Sequence, residues 1–233
     1  MKVKIGSFLL MLLFTQFHNL RAQNIYYLNK NILQSLDKIA FRKSTEAPSF
    51  DFEGSPYDND IFVKGDIYYD VNQRFPDVPL RYNVFNDVME FKMEGQKTIY
   101  EIKPDLKIQK IIIEEDTFVV TEYEEKAKII PGFFKVLATG EIDLLAKYQV
   151  DFKEAQPAKA LVLPEPAKFI RKDDQYYIKI NGDDITQKIS NIKKLIELIG
   201  DHKNELSDYA KKEKISVGNE SELIQFISFY NSL

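Results

Sequence analysis

A succession of short aromatic and β-branched runs from Phe50 onward, separated by turn signals too brief to hold a crossover, constrains this fold most. Runs at residues 61–69, 80–85, 88–93, 98–102, 107–113, 118–123, 127–138, 142–152, 167–171 and 175–180 have the composition of β-strands. Asn86-Asp87, Glu94-Gly95, Glu115-Asp116 and Thr139-Gly140 fall between runs as hairpin turns do. Parallel neighbours need connections of a dozen or more residues, so the sheet is expected to be an antiparallel meander. About ten such strands cannot lie flat without exposing an apolar face, which leaves a sandwich, a barrel or a curved open sheet. Met89, Phe91 and Met93 alternate with Val88, Glu90 and Lys92, predicting one apolar and one wet face. Pro131-Gly132 predicts a bend, a bulge or a junction between two strands.

Helical periods flank this region. Ile25, Leu28, Ile32, Leu33, Leu36 and Ile39 recur at helical spacing until residues 44–49 break the pattern, predicting a helical arm and linker over 23–49. After Asn181-Gly182, Asp184 and Gln187 have capping-box spacing, and Ile185, Ile189, Ile192, Ile196 and Ile199 follow on one stripe to Gly200. A second helix is expected from about His202 to Lys212. A third opens at Asn219 and Glu222 and aligns Leu223, Phe226, Ile227 and Tyr230. The expected class is α+β: an antiparallel β domain over 50–182, then a three-helix C-terminal region over 183–233.

Residues 1–22 have the order of a secretory signal peptide. Lys2 and Lys4 precede the apolar run Ile5 to Phe14, and Leu20-Arg21-Ala22 offers a small residue at a cut before Gln23. An apolar run of about ten residues is short for a membrane span, which needs roughly twenty. The expectation is therefore cleavage and export to the periplasm or the medium, with no transmembrane anchor afterwards. Cleavage would remove three positive charges and no acids, taking the formal charge from −4 to −7.

That balance, with lysines interleaved among acids as in Glu124-Glu125-Lys126, argues against a nucleic-acid partner. The chain has no cysteine, which excludes thiolate nucleophiles, disulfides, cysteine-ligated metals and a lipid-modified cysteine at the cut. Some 211 remaining residues suffice to bury a core without such staples. No phosphate-binding glycine loop and no Gly-x-Ser-x-Gly elbow occurs.

His202 is the one histidine left after cleavage, and with Ser207 and Asp208 nearby it is read as a polar residue at a helix start. Close carboxylates at Asp58 and Asp60, Glu114 to Asp116, Asp173 and Asp174, and Asp183 and Asp184 are the raw material for acid–base hydrolysis, but sit where turns and caps place acids. Asp58-Asn59-Asp60 and Asn181-Gly182-Asp183-Asp184 have calcium-type ligands without a complete loop. The pairs Tyr68-Tyr69, Phe133-Phe134 and Tyr176-Tyr177, with Tyr148 and Phe152, predict rings alternating between core and surface. An outward row would suit a sugar, a lipid or a partner strand.

Gly54-Ser55-Pro56-Tyr57, Phe62, Gly65, Asp77-Val78-Pro79-Leu80-Arg81-Tyr82-Asn83, Asn86-Asp87 and Glu90-Phe91 form one set of shared features. Lys135-Val136-Leu137, Phe152-Lys153-Glu154-Ala155, Asp201-His202-Lys203 and the ending Tyr230-Asn231-Ser232-Leu233 form another. Together they resemble a family of uncharacterised exported proteins of Gram-negative envelopes. The resemblance implies export and a β-plus-helix architecture and brings no activity or site residue. No catalytic, cofactor-binding or metal-ligating residue is assigned. The expected function is non-enzymatic binding of an unidentified envelope protein or an apolar or saccharide ligand. The alternative is a carrier holding a lipid in an apolar cavity of several hundred Å³, and after it a carboxylate-dependent hydrolase.

Overall fold

The computed structural model describes residues 41–43, 52–70, 73–93, 95–158 and 163–233. The expected signal segment 1–22 lies outside them. So does the expected helical arm, except for Phe41–Lys43, which form strand β1 rather than a helix end. The remaining strands are β2 (Phe52–Glu53), β3 (Val63–Tyr69), β4 (Gln73–Asn83), β5 (Val88–Lys92), β6 (Ile99–Ile102), β7 (Ile108–Ile113) and β8 (Asp116–Glu125). They continue with β9 (Lys128–Ala138), β10 (Ile142–Lys147), β11 (Val150–Lys153), β12 (Ala167–Arg171), β13 (Gln175–Ile180) and β14 (Ile185–Lys188). Helices α1 (Ile192–Ile199), α2 (Lys203–Glu213) and α3 (Glu220–Tyr230) close the chain. The protein is α+β, as the patterns predict.

β3 to β6 form an antiparallel meander, and β7 returns to the free side of β3. Only Lys103 to Lys107 join β6 to β7, although three strands lie between them in the sheet. Neighbouring strands are about 4.8 Å apart, so a flat sheet would require that linker to be almost fully extended. It instead contains a turn, closed by the Ile108 N–H donating to the Asp105 carbonyl at 2.8 Å. The sheet is therefore curled, and Ile67, Leu80, Phe91, Ile102, Ile111 and Phe118 meet in one core.

β7 to β10 continue as antiparallel hairpins, β10 pairs with β13, and β13 with β14. β14 then lies parallel to β8 and closes β8, β9, β10, β13 and β14 into a five-stranded ring. Ile185–Lys188 are thus a strand, where the isoleucine period predicts a helix from Asp184. The helix itself starts after Asn191, whose side chain accepts from the Lys194 N–H at 2.8 Å. A second parallel join puts β2 beside β12, in a small sheet with β11.

Residues on the inner side of the ring fill it: Tyr123, Phe134, Leu145 and Tyr177, each at most 5% exposed. The three rings meet edge to face, with centroids 5.1 to 5.9 Å apart. On the outer side, Ile142, Leu144, Ala146, Tyr176 and Ile178 pack against Leu195, Leu206, Leu223 and Phe226 of the helices. Asn231, just past α3, fastens that layer: its amide donates to the Ile142 carbonyl and its oxygen accepts the Ile142 N–H, both at 3.0 Å.

Candidate functional site

β10 directs Lys147 to the inner side at one mouth of the ring, two residues beyond Leu145. Its ammonium lies 2.6 Å from the Asp87 carboxylate and donates to the Phe133 carbonyl at 3.0 Å. It also stands 5.3 and 5.1 Å from the ring centres of Tyr123 and Phe134, within cation–π range. Asp87 comes from the other half of the molecule, in the β4–β5 hairpin, where its φ of 51° suits an Asp or Asn. Its second oxygen accepts from the Tyr82 hydroxyl at 2.6 Å and from the Phe133 N–H at 3.3 Å. One carboxylate therefore ties the curled sheet to the ring.

Burial pushes the Lys147 amine below the ordinary lysine value, against the opposing pull of the Asp87 charge. Burial and the adjacent Asp87 charge hold the Tyr82 hydroxyl well above its usual value. Gly132 makes the arrangement possible. A Cβ there would lie 2.7 Å from Tyr123 Cε1, 2.8 Å from Lys147 Nζ and 3.0 Å from Asp87 Oδ2.

Above this floor opens a cleft of about 770 Å³, walled by Asp87, Glu125, Tyr148, Gln149, Gln175 and Lys188 among others. Gln175 donates to Gln149 at 2.8 Å and accepts from the Tyr177 hydroxyl at 3.2 Å, so both amides are held before any ligand arrives. Burial pushes the Tyr177 and Tyr148 hydroxyls up to about 12, in Tyr148 against the lowering effect of Lys135. The floor is already neutralised and the walls offer amides, a phenol and charges of both signs.

The carboxylates singled out in the sequence sit elsewhere. Asp58, Asp116 and Asp174 come from three of the four sequence groups and interact electrostatically around Lys135 and Arg171. Burial raises the Asp58 and Asp174 carboxyls, with Arg171 opposing in each case. Asp116 pairs with Lys135 at 2.7 Å and Asp174 with Arg171 at 2.6 Å, so these acids act as ion-pair partners at a junction of strands. Asp60 accepts from the Ser55 hydroxyl and the Asn59 oxygen from the Ile61 N–H, so the Asn59 and Asp60 oxygens are engaged separately. Asp183 and Asp184 are exposed in the β13–β14 turn. His202 precedes α2 with a φ of 45°, its Nδ1 3.3 Å from Glu205, while Ser207 donates to the Lys203 carbonyl. His202 and Ser207 thus spend their polar atoms within the first turns of α2, and Asp208 is exposed.

Two other sequence expectations are corrected. Glu90 does not face water: it is 2% exposed and accepts from Arg81 at 2.8 and 2.6 Å and from Asn83 at 2.9 Å. Arg81 in turn donates to Tyr57 and to the Asp60 carbonyl, so the loop before β3 covers that face of β5. The aromatic pairs also fail to alternate between core and surface in two of three cases. Phe133 and Phe134 are both buried, as are Tyr176 and Tyr177, because their strands have one face inside the ring and the other under a second layer. Tyr68 does face away from the core, under Arg74 and Lys110.

Lys147, Gln149 and Gln175 were not recognised from sequence. The available signal was a lysine in step with Leu145, directly after the apolar Leu144-Leu145-Ala146. Comparison of the chain with protein-family models, curated proteins and solved structures finds no match.

Proposed function

We propose that this chain is an exported, non-enzymatic binding protein that takes a polyhydroxylated ligand of saccharide type in the cleft above Lys147. The observation that carries this reading is a cleft of about 770 Å³ whose amide walls and ion-paired floor are fixed in advance. Preorganised amides and a phenol match hydroxyl-rich ligands, because binding then orders few side chains. Lipid carriage has less support: the ring is filled by aromatic rings and the cleft is lined largely by polar groups. The export part of the reading rests on residues 1–22 and on the resemblance to envelope proteins. No helix of the described residues is long and apolar enough to cross a membrane.

Two experiments test the proposal. Expression of the full chain in a Gram-negative host should yield an extracytoplasmic product beginning at Gln23, and retention of an intact N-terminus in the cytoplasm would refute export. A panel of soluble oligosaccharides screened by isothermal calorimetry should contain a saturable binder, weakened by Gln175→Ala and released chemically unchanged. Turnover of that ligand would instead make the protein an enzyme.

A further inference from the structure

The opposite mouth of the ring holds a second recess, about 520 Å³, lined by Lys110, Thr117, Thr121, Thr139 and Lys179 among others. Lys179 projects from β13 and donates to the Thr121 hydroxyl of β8 at 3.3 Å, a long contact for a charged donor. Among the described residues no carboxylate lies within ion-pair distance of Lys179. Asp143 is its partner across the β10–β13 ladder, but the Asp143 carboxylate accepts instead from the Gly140 N–H at 3.2 Å. The two mouths therefore differ: the Lys147 charge is paired with Asp87 at 2.6 Å, whereas the half-buried Lys179 ammonium has the Thr121 hydroxyl at hydrogen-bond distance while Asp143 and Glu115 line the recess beyond ion-pair distance.

Thr121 is 1% exposed, and because its oxygen accepts from Lys179 its own proton is free to donate to a third group. A cation and a hydroxyl donor converging in a recess make a matched pair for an oxyanion, and Lys110 on the same lining offsets the carboxylates Glu115 and Asp143 that share it. We propose that this recess binds the carboxylate or phosphate group of a small ligand through Lys179 and Thr121. The site is built from different strand ends than the cleft above Lys147 and stands whether or not that cleft binds a saccharide.

The test is a titration of the isotope-labelled full chain with inorganic phosphate and, separately, with acetate, at constant ionic strength with chloride as comparator. Saturable amide shifts near Thr121, Asp143 and Lys179 are expected with at least one probe, and the tighter one identifies the preferred group. Lys179→Met should weaken that binding at least tenfold, the size expected for loss of one charge-assisted hydrogen bond. Thr121→Val, which keeps the side-chain shape, should also weaken it, and Lys126→Met at the other mouth should leave it unchanged. Shifts that chloride reproduces, or affinity that stays within twofold in both Lys179→Met and Thr121→Val, overturn the proposal.

Discussion

Replacing Asp87 by asparagine isolates the charge that joins the two halves of the molecule. The carboxamide tolerates the φ of 51° and keeps an oxygen to accept from Tyr82 and Phe133, so the change removes mainly the countercharge of Lys147. Losing one partner of a buried ion pair costs ~3–5 kcal/mol, because the other charge stays buried. Here the Lys147 side chain is 7% exposed and that of Asp87 25%, so water entering from the cleft relieves part of the penalty. The expected loss is ~2–3 kcal/mol, read as a lower urea midpoint at an unchanged slope. Lys147→Met removes the buried cation instead and should cost ~1 kcal/mol, since Asp87 can hydrate. The double variant should then be more stable than the sum of the single losses by at least ~1 kcal/mol. Strict additivity, or a D87N loss within ~0.5 kcal/mol of zero, would refute the ionic floor.

Gly132→Ala places a methyl group against Tyr123, Lys147 and Asp87, and should destabilise by ~1–3 kcal/mol in the same urea assay. Asn231→Ala deletes both side-chain bonds to Ile142 and should cost ~1–3 kcal/mol, with hydrogen exchange rising first in α3. Burial holds Tyr148 and Tyr177 near 12, above their ordinary value of 10.0, so their contribution is complete below pH 10 and lost as pH climbs towards 12. Lys147 acts in the opposite sense, since its depressed value makes stability rise with pH up to the ordinary lysine value of 10.5. Phenolate absorbance, unobscured in a chain without tryptophan, should therefore lag behind that of free tyrosine and rise together with loss of circular dichroism.

Alternation and turn chemistry made most of the strands legible, and the helix cap at Asn219 stands where the sequence signal places it, whereas the cap at Asn191 replaces the one expected at Asp184. What escaped depended on pairing at long range. Ile185 and Ile189 share a helical stripe with Ile192, yet Ile185 lies in β14, whose partner β8 is some sixty residues earlier. Residues 73–79 read poorly as strand because of Pro76 and Pro79. They are tolerated because that stretch of β4 pairs with β3 alone, and Asp77 opposite Asp66 sits in a bulge with positive φ. The candidate site was hidden for the same reason. Asp87 reads as a turn residue and Lys147 falls unremarked inside the run 142–152, and only the tertiary fold brings them together.

The most direct test of the account is a map of amide shifts in the labelled chain on addition of the tightest oligosaccharide from the panel. Binding in the cleft predicts saturable shifts centred on Tyr148, Gln149, Gln175 and Lys188, with the ligand recovered intact. Saturable shifts confined to another face of the molecule, or no saturation across the panel, would contradict it.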